Sequence, residues 1–502
     1  MKKYLFLIMT ALLVLALLLP GLSCAPTGEQ QEEEEEEEEG LTIQIAIVGP
    51  MGYVQGDHMW YGAELAVDDI GTVNVAGRPL TIELMKVDTQ EISPPSANYP
   101  AQQVENAIAN GADFVIGGFR TEGTIGEVEA AMDAQTMFFV DGSATASILE
   151  QVNDDYDRYK YLFRAMPNNE SFLFLATITM MAMVGHTYMG AIGTADTSVV
   201  KVAFLAEDLE WTVYPRAVVQ AMIASLGFTH VGTVECSDTA TDLSTQMNEL
   251  KGMNPNIIFT FISGPVGITY GKAMADSALQ IPAITVGINV EAQDPAYWSK
   301  CTGDAGNNGA DGQIGMMLYA PNVEQTAKTK PFLDAWAAAY PQSPVPIYTG
   351  ASYDAIQGLV VALQDTATID ADSGAVVFSN DDLIDWYENP ANAQVTTSGS
   401  AGYYSLALQP LVDAGVPCYA HDLIYGPESN AVGLGVQWQD DGTGNGKKVG
   451  VWPNATFGAL NQALWDGTGI APALGMDWTT FEYDGVELFK FPYWIMHLWG
   501  WA

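Results

Sequence analysis

From residue 41 onward, short strand-like runs alternate with longer helix-like runs, and this alternation constrains the fold more than any other feature. The first series begins with the β-branched run 42–48, which the turn residues Gly49 and Pro50 end. Residues 60–70 then carry apolar side chains at helical spacing. The series continues with predicted strands at 80–87, 114–116 and 137–140 and predicted helices at 99–110 and 123–134.

A second series repeats the same order further along the chain. It comprises predicted strands at 201–205, 229–234, 257–262 and 283–286 and predicted helices at 213–226, 243–253 and 266–279. Strands that alternate with helices are typical of βαβ units, in which neighbouring strands run parallel. The sequence therefore predicts an α/β protein with two mostly parallel sheets, each covered by helices on both faces.

Composition excludes several classes of protein. The 502 residues include 18 basic and 61 acidic side chains, which gives a formal net charge of −43. A nucleic-acid-binding protein needs a basic surface to displace counterions, so we exclude nucleic acid as a partner. One long apolar run exists, near the N-terminus, which argues against a polytopic membrane protein. A chain of this length with 48% hydrophobic residues can fill two or three lobes.

The first forty residues predict export. Residues 1–23 combine Lys2-Lys3 with the apolar run 4–19 and small residues, as in a signal peptide. Cys24 follows directly and resembles the acylated cysteine of a lipoprotein; the alternative is an ordinary signal peptide with an incidental cysteine. Residues 24–40 then form a Glu-rich tether. We expect the protein on the outer face of the cytoplasmic membrane or in the periplasm.

Neither a metal nor a cofactor nor an enzymatic reaction is predicted. Cys236, Cys301 and Cys418 are widely spaced, so one pair could form a disulfide but no CxxC metal motif exists. The five histidines show no ligand spacing. The sequence also carries no nucleophile elbow and no Gly-rich lysine loop.

Five segments carry a resemblance to a known family when they are taken in order. They are IAIVGPMGYVQGD…WYGAELAVDDI from residue 45, GADFVIGGFRTEGT from 111, FVDGSATAS from 139, KYLFRAMPNNES from 160 and TGASYDAIQGLVVAL from 349. Together they resemble the type I periplasmic solute-binding proteins of branched-chain amino-acid ABC importers. The resemblance covers about residues 41–451. It implies a two-lobed clamshell of the periplasmic binding protein type I class.

The resemblance also implies how the chain divides between the lobes. Lobe 1 would comprise residues 41–166 and 288–433, and lobe 2 residues 167–287 and 434–452. The crossover segments would lie near 164–167, 287–289 and 419–437. Residues 453–502 lie outside the resemblance, and we expect this aromatic extension to pack as a cap or to meet a partner.

Ligands of doubly wound sheets bind beyond the carboxyl ends of the strands, where loops enter helices. The candidate ligand-binding residues in such loops are Tyr53, Gln55, Arg120, Thr121, Ser143, Ala144, Thr145, Trp211, Ser263, Asn289 and Glu291. Hydroxyl groups at a helix start can hold a carboxylate or can simply cap the helix.

Three of these candidates could have a structural role instead of contacting the ligand. Arg120 could bind a ligand carboxylate or pair with Glu122 or Glu127. The resemblance implies that Trp211 forms an aromatic wall against the ligand, and Tyr53 could supply the opposite wall; the alternative for either residue is packing in the core.

The resemblance implies an acidic residue at the second crossover that holds a ligand ammonium group. This chain has Asn289 there, and Glu291 follows two residues later. The ligand could therefore be an amino acid, an amide, a urea-like compound or another carboxylate. We predict a monomeric solute-binding protein that delivers this ligand to an ABC permease. The alternatives are a sensor subunit for a receptor kinase or chemoreceptor and, less favoured, an exported hydrolase.

Overall fold

The computed structural model describes residues 40–92, 97–166, 169–400, 402–408, 410, 413, 418–426 and 432–501. The predicted signal peptide, Cys24 and the tether up to residue 39 lie outside the described residues. Pro167, at the predicted first crossover, also lies outside them.

The first sheet has six strands and builds lobe 1. Its spatial order is β2 (Asn74–Val75), β3 (Arg78–Asp88), β1 (Leu41–Gly49), β4 (Phe114–Gly117), β5 (Met137–Val140) and β6 (Leu162–Arg164). The pairs that join β3, β1, β4, β5 and β6 are all parallel, and only the short edge strand β2 is antiparallel. The strands predicted for the first series are thereby confirmed.

The second sheet has seven strands and builds lobe 2. Its order is β15 (Gly446–Trp452), β14 (Leu434–Asp440), β11 (Ile314–Met317), β10 (Ile284–Asn289), β9 (Ile257–Ile262), β7 (Lys201–Glu207) and β8 (Thr229–Cys236). The pairs that join β8, β7, β9, β10 and β11 are all parallel, whereas β14 is antiparallel to both β11 and β15. The α/β fold with two mostly parallel sheets is confirmed. A separate two-stranded ladder joins β12 (Thr368–Ile369) to β13 (Val376–Val377).

Helices flank both sheets. In chain order they are α1 (Val54–Ile70), α2 (Asn98–Ala109), α3 (Thr121–Asp133), α4 (Ala146–Asp154), α5 (Tyr156–Tyr159), α6 (Glu170–Ile192), α7 (Val213–Ser225), α8 (Ser244–Met253), α9 (Val266–Met274), α10 (Tyr297–Lys300), α11 (Thr329–Ala339), α12 (Ser352–Thr366), α13 (Asn380–Glu388), α14 (Gly458–Gly467), α15 (Ile470–Leu474) and α16 (Tyr493–Leu498). Short 3₁₀ turns lie at Thr197–Val199, Glu210–Thr212, Val290–Gln293, Tyr348–Ala351, Pro390–Asn392, Leu406–Leu408 and Ala455–Phe457.

Helix α6 was not predicted, because its apolar residues surround the helix instead of marking one face. Among the described residues it alone has the length and apolar composition that a membrane span needs, and 83% of its most apolar stretch is buried in the fold. A helix that is apolar all round belongs in a protein core. It contacts β10, β11 and β14 on one side and α14 on another, so it is the central helix of lobe 2.

The predicted second lobe boundary differs from the sheet that forms. Strand β11 pairs with β10, so the chain stays in lobe 2 through Met317, beyond the predicted boundary at 288. The chain has returned to lobe 1 by α11, where Trp336 packs 5.2 Å from the His58 ring of α1. The prediction failed because β11 has only four residues and includes Gly315, and no long helix precedes it.

The C-terminal extension packs against lobe 2. Trp478 is fully buried between Trp452 and Trp465, with ring centroids 5.5 Å and 4.4 Å away. Trp465 in turn faces Phe172 of α6, with centroids 6.0 Å apart. Near the other end of α6, Tyr188 packs against Trp499 and Trp501, with centroids 5.0 Å and 5.4 Å away. The aromatic side chains of the extension therefore enlarge the hydrophobic core at both ends of α6.

The three later cysteines are buried free thiols, so the possible disulfide among Cys236, Cys301 and Cys418 is not formed.

Candidate functional site

A cavity lies between the two lobes, at the carboxyl ends of strands from both sheets. It encloses about 600 Å³ of empty space, counted out to its open mouth. Lobe 1 contributes Phe119, Arg120, Thr121, Gly142, Ser143, Ala144, Thr145 and Tyr348. The lobe 2 side contributes Glu170, Leu173, Phe174, Trp211, Ser263, Ile288, Val290, Gln293 and Met316. Loops at the carboxyl ends of parallel strands are where folds of this type bind small ligands.

Seven of the eleven predicted residues line this cavity: Arg120, Thr121, Ser143, Ala144, Thr145, Trp211 and Ser263. The structure thus brings together side chains that lie more than 140 residues apart in the chain. This convergence follows from parallel topology, since parallel strands present their carboxyl ends at one edge of the sheet.

The other four predicted residues lie outside the lining. Gln55 joins the lobes, because its Nε2 donates to the Ser263 carbonyl at 3.1 Å and to Glu291 Oε1 at 3.2 Å. Asn289 is held inside lobe 2, where its Nδ2 donates to Tyr297 Oη at 3.0 Å. Tyr53 precedes α1, is 37% exposed and does not line the cavity, so the predicted aromatic wall at Tyr53 is not part of it.

Two helices begin at the lobe 1 wall of the cavity, α3 at Thr121 and α4 at Ala146. Thr121 Oγ1 and Thr145 Oγ1 hydrogen bond to each other, which brings the two helix starts together. Neither hydroxyl group caps its own helix, so the alternative role of helix capping does not apply to Thr121 or Thr145. Ser143 Oγ is buried and has no hydrogen-bond partner among the described residues. Unsatisfied donors and the positive ends of two helix dipoles favour an anion at this wall.

Arg120 spans the gap between the lobes. Its Nη1 donates to Asp238 Oδ2 of lobe 2 at 2.8 Å, and the Arg120 side chain is only 1% exposed. Neither predicted alternative, a pair with Glu122 or with Glu127, is formed. The Nε and Nη2 groups are buried without a hydrogen-bond partner among the described residues, so two donors of the guanidinium group remain available.

The carboxylate of Glu91 fixes the backbone that carries Arg120. It accepts hydrogen bonds from the N–H groups of Phe119 and Arg120, at 2.8 Å and 2.7 Å. Glu91 was not predicted as a site residue, because it lies 29 residues upstream of Arg120 in an irregular segment after β3.

Trp211 forms part of the opposite wall, and a buried acid orients it. Glu207 accepts hydrogen bonds from Trp211 Nε1 at 3.3 Å, from Ser263 Oγ at 2.6 Å and from the Gly264 N–H at 2.7 Å. Burial raises the pKa of Glu207, and nearby Arg120 and these donors oppose that rise. The Glu207 carboxylate therefore serves to position Trp211 and Ser263.

The loop 143–145 is held from behind by Arg164, which is fully buried at the end of β6. Its guanidinium group donates to the carbonyl oxygens of Ser143 and Thr145. The same group forms an ion pair with Asp422, from Nε to Oδ1 at 2.8 Å. Asp422 also accepts a hydrogen bond at 2.6 Å from Asn169 Nδ2, and Asn169 caps α6.

These contacts join the loop 143–145 to two of the segments that cross between the lobes, one at Arg164 and one at Asp422. The sequence feature that could have identified Arg164 is an arginine inside the apolar run YLFRAM, in a chain with only 18 lysine and arginine residues.

The apolar part of the lining was largely missed. Leu173 and Phe174 come from α6, Ile288 from β10, Val290 from the 3₁₀ turn after β10, and Met316 from β11. Tyr348 directly precedes one of the family-like segments, and its hydroxyl group donates to the Gly142 carbonyl at 3.1 Å. These residues are ordinary core types, so only their place in the fold marks them as part of a cavity.

Comparison with known proteins agrees with this architecture. The sequence profile of the periplasmic binding protein family matches residues 43–393, which is most of the chain. No curated protein sequence matches it.

Several solved structures share the fold. One is an R. palustris solute-binding protein in complex with benzoate, at 16% identity and TM-score 0.58, covering 82% of this chain and 96% of that chain. A second R. palustris solute-binding protein, in complex with 4-hydroxybenzoate, has the same identity and coverage and TM-score 0.60. The LivJ substrate-binding protein of Streptococcus pneumoniae, in complex with isoleucine, has 15% identity and TM-score 0.57, covering 82% of this chain and all of that chain.

The Arg164–Asp422 contact gives a prediction about stability. We expect Asp422→Ala to lower the free energy of unfolding by about 3–5 kcal/mol, because it leaves the buried charge of Arg164 unpaired. Asp381→Ala is the matched control: it removes the ion pair with Lys160, in which the Asp381 side chain is 69% exposed, and should cost less than about 1 kcal/mol. Urea unfolding measures both. Equal losses in the two variants would show that the buried pair has no special role.

Proposed function

The chain belongs to the periplasmic binding protein family, and we propose that it captures a small carboxylate with an apolar or aromatic body for an ABC importer. The observation that carries this proposal is a set of buried donors without partners beside an apolar cavity wall. Ser143 Oγ and two nitrogens of Arg120 are those donors. An unpaired buried donor costs free energy, which a bound acceptor would recover.

The carboxylate end of the ligand would sit against lobe 1. There the starts of α3 and α4 meet at Thr121 and Thr145, and the helix dipoles favour negative charge. The remaining Arg120 donors add a charged hydrogen bond, although Asp238 already neutralises part of that charge.

The body of the ligand would lie against the second wall. Phe174, Trp211, Ile288, Val290 and Met316 offer aromatic and aliphatic surface there. Removing apolar ligand surface from water supplies most of the affinity of such sites, while a few polar groups fix orientation.

The charges near the cavity favour an acid without an ammonium group. Glu170 is the acidic side chain among the lining residues, and its carboxylate accepts a hydrogen bond from the Ala146 N–H. Glu207 already accepts hydrogen bonds from three donors. The solved structures of this fold include complexes with benzoate and with isoleucine, so the fold can bind an aromatic acid as well as an amino acid.

Binding would be coupled to closure of the lobes. Contacts that cross between them include Arg120 with Asp238, Gln55 with Ser263 and Glu291, and the Glu210 N–H with Glu122 Oε1 at 3.2 Å. A ligand that touches both walls adds contacts only in the closed form, so it shifts the hinge equilibrium towards closure. The closed form would then deliver the ligand to a membrane permease.

The test of this function begins with a thermal-shift screen of benzoates, aliphatic acids, amino acids, amides and ureas. We expect acids to raise the melting temperature, since ligand that binds only the folded state stabilises it. Ser143→Ala should weaken binding of the best acid about tenfold, by loss of one hydrogen bond to a charged group, and leave the ligand-free melting temperature unchanged. Ser225→Ala, on an exposed turn at the end of α7, is the control. Stabilisation by amides or ureas alone would refute the carboxylate proposal.

We also propose that Cys24 is acylated and anchors the protein to the membrane. Cys24→Ser should then release the protein into the soluble fraction, because the lipid chains that hold it in the bilayer are lost. Fractionation of cells that express the wild type and the variant measures this. Equal retention of both proteins in the membrane fraction would contradict lipidation.

A further inference from the structure

A second apolar groove lies on lobe 2 next to the ligand cavity. It contains about 720 Å³ of space, counted to its open mouth, and runs between α6, α7 and the C-terminal extension. Its apolar side chains include Leu175, Ile178, Val218, Met222 and Ile470.

The groove and the ligand cavity share two residues of the first turns of α6. Glu170 and Phe174 line both spaces. The segment that contains Trp211 and Tyr214 also borders both spaces. Trp211 lines the cavity, and Tyr214, three residues later, lines the groove. The two spaces are therefore neighbours along two different elements, and the Glu170 and Phe174 side chains form the partition between them.

The outer wall of the groove comes from a part of the chain that the family profile does not cover. Thr468 and Ile470 lie beyond residue 393, where the profile match ends. They are placed by the packing of α14 on α6, in which Trp465 faces Phe172. The segment beyond the profile match thus closes one side of the groove.

The chemistry of the groove decides what can occupy it. None of its eleven lining residues is basic, so it offers no counter-charge for a carboxylate of its own. Its polar side-chain groups are those of Glu170, Ser171, Tyr214 and Thr468. An acid must therefore place its head group in the cavity, where Ser143 and Arg120 have donors without partners. Only an apolar part of the same molecule suits the groove.

We infer that the ligand site continues past Glu170 and Phe174 into this groove, which receives the apolar tail of an elongated carboxylate. This inference rests on the proposed carboxylate function. Phe174 stacks on Phe261 with ring centroids 5.6 Å apart, so passage of a tail requires the Phe174 ring to turn from that stack. Short acids then fill the cavity alone, and longer acids fill both spaces.

Isothermal titration calorimetry of the purified protein tests the inference with two pairs of acids, benzoate with 4-butylbenzoate and leucine with 2-aminodecanoate. In whichever pair the short acid binds, we expect the long acid to bind at least about tenfold more tightly, because several additional methylene groups leave water. Val218→Phe, which fills the groove at a half-buried position of α7, should abolish that gain and leave the affinity for the short acid within about twofold. Ala221→Phe, on the exposed face of the same helix, should change neither affinity.

The possible outcomes separate the two levels of the proposal. If a short acid binds and the long acid gains nothing or is rejected, the groove is not a ligand subsite while the proposed function stands. If Val218→Phe weakens the short and the long acid equally, the substitution acts on the fold and the subsite is also refuted. If no carboxylate binds the wild type but another solute stabilises it, the carboxylate function fails and the tail site fails with it.

Discussion

The buried ion pair between Arg164 and Asp422 is the contact on which the geometry of the site depends. Both side chains are fully buried, at a separation of 2.8 Å. Arg164 holds the carbonyl groups of Ser143 and Thr145, and Asp422 holds the cap residue of α6. A charge buried this deeply is tolerated only when it is paired and its donors are used, so the loop, the crossover and the first turn of α6 are specified together.

A second set of charges works across the cleft. The chain carries a net charge of −43, yet the cavity centres on one arginine whose guanidinium group faces Asp238 and retains free donors. Buried Glu207 and Glu291 are satisfied by neutral donors, from Trp211, Ser263 and Gly264 in one case and from Gln55 in the other. The unpaired groups that face the ligand are therefore mostly hydrogen-bond donors. An acid, which accepts hydrogen bonds, suits such a site better than an amine.

The sequence was sufficient for local structure and for the topology that follows from it. β-Branched runs such as 42–48 and 257–262 became central parallel strands, and the loops after them met at one edge. Helix α6 and strand β11 escaped prediction, because one is apolar on every side and the other is too short to show a period.

For the site, residue type and position after a strand identified polar groups such as Ser143, Thr145 and Arg120. They could not identify Arg164, Asp422 or Glu91, whose roles depend on contacts between segments up to 258 residues apart. The apolar wall and the groove depend on tertiary packing alone.

Small-angle X-ray scattering tests the central claim most directly, which is that two hinged lobes close on one acid between them. The radius of gyration is measured without ligand and with saturating benzoate or leucine, with binding checked in the same sample by calorimetry. The account predicts a smaller radius of gyration in the ligand-bound protein, because contacts such as Arg120 with Asp238 form only when the lobes meet. Calorimetric binding with an unchanged scattering curve would contradict it.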